Sequence, residues 1–485
     1  MTLPALQVCE QARASRDPRF DGLFFIAVAS TGIYCRPVCP ARSPKPENVR
    51  YYPTAAAAEA AGFRPCLRCR PELPTSESWR RGDAHVARAL ELIEDGFLAD
   101  NSLAALADCL GVSERQLRRL FVARWGVTPS SLHNTRRLCF AKQLLAETSL
   151  PILDVALESG FNSVRRFNAC FRDAYGLTPS AVRRKPGQAS ARAQALTLRL
   201  EYRPPYDLAA RLDALRRDAI AGLEEVGAGS YTRVFGPAEA PGWLRVSAWP
   251  GKQNALRLEV HCRRPTRILE IVRRLRRMFD LDADALIINA ALSEDPGLRP
   301  LVEASPGLRL PAGWDGFEVA VRNVLARAGD HADGQTLARV LERYGSLVEL
   351  SSGCGPDRLF PQPEALVDAD LTAVGVSGQG DATVRAIARG LLDGRLDFRH
   401  DRTLEDFVGR WTVLPGVRRE TAHGIALGAI GHPDAFPVEG ILQDAARDSP
   451  LATPELAAER AERWRPWRAY ALVHLWHAAI GAERA

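Results

Sequence analysis

The stretch SLAALADCLGVSERQLRRLFVARWGVTPS (102–130) decides how this chain is read, because it occurs twice. Fifty residues further on, PILDVALESGFNSVRRFNACFRDAYGLTPS (151–180) repeats its plan. Phe121, Gly126, Thr128, Pro129 and Ser130 recur as Phe171, Gly176, Thr178, Pro179 and Ser180, and Trp125 is matched by Tyr175. In the first copy Leu103, Leu106, Ala107 and Leu110 share one helical face. Gly111 marks a turn, and Ser113 with Gln116 forms a capping box for a second helix. Arg115, Arg118 and Arg119 project from that second helix, as Arg165 and Arg166 do in the later copy. Two copies are too few for a solenoid. They read as paired helix-turn-helix subdomains joined by the helix TRRLCFAKQLLAETS (135–149); the plainer alternative is a solvated basic hairpin.

Outward from this pair, the chain has 485 residues, enough for about three domains at roughly 100–200 residues each. Charged residues make up 25% and hydrophobic ones 46%, which excludes disorder, collagen and coiled coil as whole-chain descriptions. No run of 18 apolar residues predicts a membrane span. The first twenty residues lack the basic-then-apolar pattern of an export signal, so a cytoplasmic, nucleoid-associated protein is expected. Residues 1–187 hold 26 Lys+Arg against 18 Asp+Glu, a net +8, and the remainder holds 38 against 40, a net −2. The basic excess therefore lies in the first two-fifths, as nucleic-acid binding requires.

Upstream of the pair, four cysteines stand as Cys35-x3-Cys39 and Cys66-x2-Cys69. Two short-spaced pairs in polar, basic turns have the spacing of a tetrahedral Zn2+ site. FFIAVASTGIYCRPVCPAR (24–42), ENVRYY (47–52) and AAGFRPCLRCRPE (60–72) resemble the N-terminal domain of Ada-type DNA methyl phosphotriester repair proteins. The resemblance implies that Cys35, the first cysteine, takes a methyl group irreversibly from an alkylated DNA phosphate. The two helix-turn-helix units, each ending in G-x-T-P-S, resemble the AraC/XylS-type activator domain. That implies double-stranded DNA as partner, both as alkylated DNA and as a promoter operator, with RNA polymerase as the machinery activated. Two recognition helices would enter successive major grooves; which arginines read bases and which touch phosphates stays open.

Downstream, KPGQASARAQA (185–195) reads as a linker. LTLRLEY (196–202) and ALRLEV (255–260) alternate as half-buried strands, and LAARLDALRRDAIAGL and RILEIVRRLRRMF read as helices. From Trp314 onward nearly everything reads as helix. LEYRPPYDLAARLDALRRDAI (200–220), LRRMFDLDAD (275–284), PGLRLPAGWDGFEVAVRNVLA (306–326), LFPQPEAL (359–366), LPGVRRETA (414–422) and RWRPWRAYALVHLW (463–476) resemble AlkA-type 3-methyladenine DNA glycosylases. The resemblance implies a sheet domain followed by a helix-hairpin-helix domain. It also implies a Gly-rich hairpin that approaches a DNA phosphate, where Gly416 is kept but Arg418 replaces the second glycine. Of the pocket aromatics Trp476 is kept, whereas Glu420 and Gly424 stand at two others. The catalytic aspartate position holds Gly440, with Glu439 and Asp444 as substitutes of poor geometry.

The expected fold class is multidomain. A small α+β zinc domain (1–78) precedes an all-α double helix-turn-helix domain (84–184), an α+β sheet domain (196–305) and an all-α helix-hairpin-helix glycosylase-like domain (306–485). Cys109, Cys139 and Cys170 are expected in the core, and His474 and His477 half-buried. No segment resembles the P-C-H-R motif of guanine alkyltransferases, so repair of O6-methylguanine is not expected. Three functions follow in order. The first is a methyl-transfer sensor and transcription activator fused to a glycosylase fold of low activity. The second is a bifunctional regulator that also excises alkylated bases, and the third a regulator that only binds DNA.

Overall fold

Short apolar strands near the N-terminus close a four-stranded sheet in the order β3-β1-β2-β4. These are β1 (Phe25–Val28), β2 (Ile33–Cys35), β3 (Val49–Tyr52) and β4 (Arg64–Pro65). β1 runs antiparallel to β2 and β3, and β4 lies parallel to β2. The computed structural model describes residues 5–15, 24–37, 44–66, 97–183, 195–251, 253–262, 268–327, 335–350, 355–398, 403–437 and 460–484, with Leu3, Phe20, Cys39, Pro71, Ala89, Leu90, Leu92 and Ile93. The chain divides into two units, residues 1–191 with 266–269, and residues 192–265 with 270–485.

In the first unit β1 is buried along its whole length: Phe25 and Ala27 pack with Tyr34, Ala55, Ala58 and Phe63, and Ile26 packs with Cys9, Ala12 and Phe24. A helix at Ala55–Ala60 follows β3, capped by Thr54, whose hydroxyl accepts from the Ala57 N–H at 2.9 Å. The repeated motif then shows why its residues recur. The helices Glu114–Trp125 and Val164–Tyr175 end on Gly126 (φ +73°) and Gly176 (φ +64°), left-handed positions that favour glycine. Thr128 and Thr178 next cap the following helices, accepting from Ser131 and Ala181 N–H groups, with a proline in each first turn. Phe121 and Phe171 are fully buried, one anchoring each copy. The starts are equally regular: Ser113 accepts from the Gln116 N–H at 3.2 Å and Ser163 from the Arg166 N–H at 3.4 Å. Between the copies runs one helix, Pro129–Glu147. Its Arg137 stacks on Phe161 at 3.8 Å and donates to the Ser159 carbonyl at 3.1 Å, which fixes the second turn. Cys139 is buried as expected, but Cys109 and Cys170 are only half-buried, because each lies at the margin of its helix's apolar face.

The second unit opens with a five-stranded antiparallel sheet in the order β5-β9-β8-β7-β6. The two expected strands are β5 (Ala195–Glu201) and β9 (Ala255–Cys262), paired along seven residues. Three more were not legible: β6 (Glu224–Val226), β7 (Ser230–Phe235) and β8 (Gly242–Ala248). β7 hides its signal because it is buried on both faces from Tyr231 onward, including Thr232 and Arg233. The buried Arg233 guanidinium is held by Glu224 and Glu318. The helix expected over LAARLDALRRDAIAGL stops at Asp218, and the residues after it turn into β6.

Beyond the sheet, helices including Gly316–Arg327, Gly378–Leu392, Leu404–Thr412, Arg419–Ile430 and Arg468–Arg484 enclose one apolar core. Trp411, at 1% exposure, sits in it against Phe407, ring centroids 5.5 Å apart. Among the described residues no helix is long and apolar enough to cross a membrane. The architecture is multidomain, with a zinc-domain sheet, a helix-turn-helix region and a sheet-plus-helix C-terminal part.

Candidate metal centre and nucleic-acid interface

Register brings the cysteines together. Cys35 ends β2, and Tyr34 beside it pairs with Pro65 of the parallel β4, so Cys66 follows at the same end of the sheet. The Cys66 N–H donates to the Tyr34 carbonyl at 2.9 Å, and a turn closed by the Cys39 N–H on the Arg36 carbonyl at 3.1 Å returns Cys39 to the group. The sulfurs of Cys35, Cys39 and Cys66 all lie within 4.8 Å of one another, and Cys39 and Cys66 are 4.0 Å apart. Thiolates on a tetrahedral Zn2+, at about 2.3 Å each, stand about 3.8 Å from one another. The donor set therefore fits Zn2+. Cys69, the expected fourth ligand, lies outside the described residues.

A cavity of about 750 Å3 opens on this cluster. Its wall carries the cations Arg13, Lys45, Arg64 and Lys142 and one acid, Glu47, which is 3.9 Å from Lys45. Cys35 and Cys39 are half-exposed and Cys66 is buried. The cavity is lined both by the sheet and by the helix-turn-helix region, through Lys142, Tyr175, Leu177 and Val182. Two hydrogen bonds join the same parts: Glu59 accepts from Tyr34 Oη at 2.8 Å and from Thr135 Oγ1 at 2.7 Å. Arg64 donates to the Tyr175 carbonyl at 3.2 Å. Sequence reasoning missed Tyr34, Glu59 and Lys142; the one available signal was a lysine in a chain with only four, against 60 arginines.

On the paired recognition helices Arg115, Arg118, Arg119, Arg165 and Arg166 are all exposed. Arg118 forms an ion pair with Glu114, one turn earlier on its own helix.

In the second unit the hairpin between Leu404–Thr412 and Arg419–Ile430 holds Gly416 at φ +83°. A Cβ there would collide with Thr383 Oγ1, which donates to the Pro415 carbonyl at 3.1 Å. Arg418 is extended (φ −79°, ψ 162°), so the backbone asks for no glycine there, and the helix after it starts without a side-chain cap. Glu420 is half-buried in the first turn, and Gly424 is buried. The Phe436 N–H donates to His423 Nδ1 at 3.3 Å, and burial with nearby arginines pushes the His423 pKa down to about 4. Asp434 is held by Arg468, with Nε–Oδ1 at 2.7 Å, and by Arg465. Glu439, Gly440 and Asp444 lie outside the described residues. Trp476 is half-buried against the helical core. His474 is buried at 3% exposure and His477 is exposed, where both were expected half-buried.

A thiolate metal centre, duplicated helix-turn-helix units and a helix-hairpin-helix core define a class of multidomain DNA-repair regulators. Comparison with known proteins narrows it. Residues 8–72 match the family described as the metal binding domain of Ada, 106–185 a helix-turn-helix domain, and 197–315 the AlkA N-terminal domain. The chain is 38% identical over 476 residues to the probable bifunctional transcriptional activator/DNA repair enzyme AlkA of Mycobacterium tuberculosis, covering 96% of this chain and 95% of that one. It is 31% identical to DNA-3-methyladenine glycosylase 2 of Escherichia coli K12, over 57% of this chain and 96% of the relative. It is 36% identical to the bifunctional transcriptional activator/DNA repair enzyme Ada of the same organism, over 36% of this chain and 48% of the relative. The chain belongs to the family of Ada–AlkA fusion proteins.

Proposed function

We propose that the chain senses and repairs DNA alkylation: Cys35 takes a methyl group irreversibly from a DNA methyl phosphotriester, and the methylated protein activates transcription through its two helix-turn-helix units. The observation that carries this reading is the half-exposed Cys35 beside Cys39 and Cys66, facing a cation-lined cavity. Zn2+ bound by four cysteines keeps their sulfurs deprotonated at neutral pH and leaves the centre with two net negative charges. The Cys35 sulfur attacks the methyl carbon; an S–C bond forms as the C–O bond breaks. The electron pair stays on the leaving oxygen, which becomes an ordinary anionic phosphodiester. A methyl triester is neutral and approaches the anionic cluster more easily than an unmodified phosphate does. Arg13, Lys45 and Arg64 supply positive charge for the flanking phosphates and for the oxygen as it becomes charged. Cys35 ends as a thioether, so the transfer occurs once per chain. Losing one negative charge reduces repulsion toward the DNA backbone and raises affinity.

In the same reading Gly416 and the exposed arginines hold DNA backbone, while the C-terminal unit releases alkylated bases slowly. A flipped base exchanges its stacking for an aromatic pocket, at about 1–3 kcal/mol per base, and two pocket positions hold Glu420 and Gly424. Gly440 offers no carboxylate to the developing positive charge on the sugar, and one such electrostatic group is commonly worth about 10²–10³ in rate.

The test is incubation with methylated DNA followed by peptide mass mapping and assay of free base. One methyl on Cys35 and little 3-methyladenine is the expected result. A methyl on another cysteine, or none, overturns the first half. Base release well beyond one per chain overturns the second and assigns the carboxylate role to Glu439 or Asp444.

A further inference from the structure

Strand alternation sends Cys35 and Tyr34 to opposite faces of β2. Cys35 joins the cluster with Cys39 and Cys66, while Tyr34 is fully buried against Phe25, Ala55, Ala58 and Phe63. The main chain of Tyr34 nevertheless belongs to the metal site. It is bonded to Cys35 directly, and its carbonyl accepts from the Cys66 N–H at 2.9 Å. Its hydroxyl donates to Glu59 Oε1 at 2.8 Å, on the helix Ala55–Ala60. The second oxygen of that carboxylate accepts from Thr135 Oγ1 at 2.7 Å. Thr135 is 8% exposed and lies in Pro129–Glu147, the helix between the two helix-turn-helix units. Hydrogen bonds to a carboxylate are roughly twice as strong as neutral ones. One side chain thus ties the strand of Cys35 to that helix. A second tie lies beside it. Arg64, two residues before Cys66, donates from Nη1 to the Tyr175 carbonyl at 3.2 Å. Tyr175 ends the helix Val164–Tyr175, and a cation there meets one of the last carbonyls, which have no partner within a helix.

We propose that Glu59 is a positioning residue that makes metal loading of the cysteine centre and seating of the helix Pro129–Glu147 one coupled equilibrium. In the loaded protein the cysteine centre fixes the main chain of Tyr34, whose hydroxyl orients the Glu59 carboxylate toward Thr135. Stripped of metal, the small sheet loses much of its folding free energy. Tyr34 and Glu59 then no longer hold Thr135, and the helix between the recognition units loosens. Such coupling is reciprocal: what zinc contributes to seating the helix, the helix returns to zinc affinity by the same factor. A threonine of the helix-turn-helix region therefore tunes a metal site to which it contributes no ligand. This goes beyond the methyl-transfer reading and requires no methyl transfer.

The test uses the full chain as wild type, Thr135→Val and Thr135→Ser. Valine keeps the shape and removes the hydroxyl, and serine restores the hydroxyl. The first readout is zinc retention against a competing chelator. Coupling between sites commonly amounts to about 5–150-fold, so Thr135→Val should weaken retention by about 5-fold or more. Thr135→Ser should recover it. A merely structural threonine would destabilise its own helix and leave zinc retention unchanged. The second readout is hydrogen exchange across Pro129–Glu147, loaded and stripped. Wild type should lose protection there on chelation, and Thr135→Val should show a smaller loss. Equal zinc retention in wild type and Thr135→Val overturns the proposal. So does weakened retention that Thr135→Ser fails to restore, or protection of the wild-type helix that does not depend on zinc. Should Thr135→Val lose helix content, Tyr34→Phe tests the same link from the sheet. It should lower protection of Pro129–Glu147 in the loaded protein, and unchanged protection overturns the proposal. Failure of wild type to methylate Cys35 would refute the proposed function, and these readouts would still decide the role of Glu59.

Discussion

Gly416 shows how one residue fixes a hairpin. Its φ of +83° and the position of Thr383 leave no room for a side chain. Gly416→Ala should therefore destabilise the C-terminal unit by about 1–3 kcal/mol, read as an earlier unfolding transition of the full chain. Two buried histidines give a pH signature. Burial, with nearby arginines for His423, lowers both His423 and His474 from 6.5 to about 4. The unfolded chain takes up these protons near the ordinary value and the folded chain resists until much lower pH. The stability each contributes is complete above about pH 6.5 and is lost as pH falls toward 4, on the order of 3 kcal/mol apiece. Unfolding followed from pH 7 to pH 4.5 should show this loss. His423→Asn, which keeps an acceptor for the Phe436 N–H, should flatten the slope by one group's share. An unaltered slope would mean that His423 is already charged in the folded protein.

At the scale of elements, what was legible followed a strict local rule. The G-x-T-P-S repeat is a left-handed glycine, a threonine cap and a first-turn proline, three conditions set by the backbone alone. The cysteine spacing announced a metal site because each pair must turn back within a few residues. β7 was not legible, because burial of Arg233 with Glu224 and Glu318 puts charges where alternation predicts apolar residues. Lys142 and Glu59 were missed for the reverse reason: each looks like an ordinary helix-surface residue until the fold sets it against another element. The recognition helices carry a graded prediction. Arg119→Ala, or Ala at both Arg165 and Arg166, should weaken operator binding and lower the salt slope by about one for each phosphate no longer neutralised. Arg118→Ala should cost less, because Glu114 already shares that guanidinium. Binding measured at several salt concentrations checks both, and equal losses of affinity at Arg118 and Arg119 would contradict the grading.

At the scale of the molecule, the cysteine centre ties together strands with little core of their own. The sheet is four short strands, and its apolar clusters are small beside the one in the C-terminal unit. Small metal domains draw much of their folding free energy from the ion. Chelation should therefore release hydrogen-exchange protection across residues 24–66 and leave the helices around Trp411 protected. Loss of protection in both units, or in neither, would contradict that division. The charge is divided in the same way, with a net +8 over residues 1–187 and −2 over the rest, which assigns most DNA attraction to the half that carries Cys35. If methylation of Cys35 is a charge switch, the measurement that reaches it most directly is DNA affinity before and after transfer. The same purified protein is titrated with operator DNA, unmodified and then carrying one mapped methyl on Cys35, at low and high salt. The account predicts tighter binding by the methylated form, with the advantage shrinking as salt rises. Equal affinity of the two forms at low salt would contradict it.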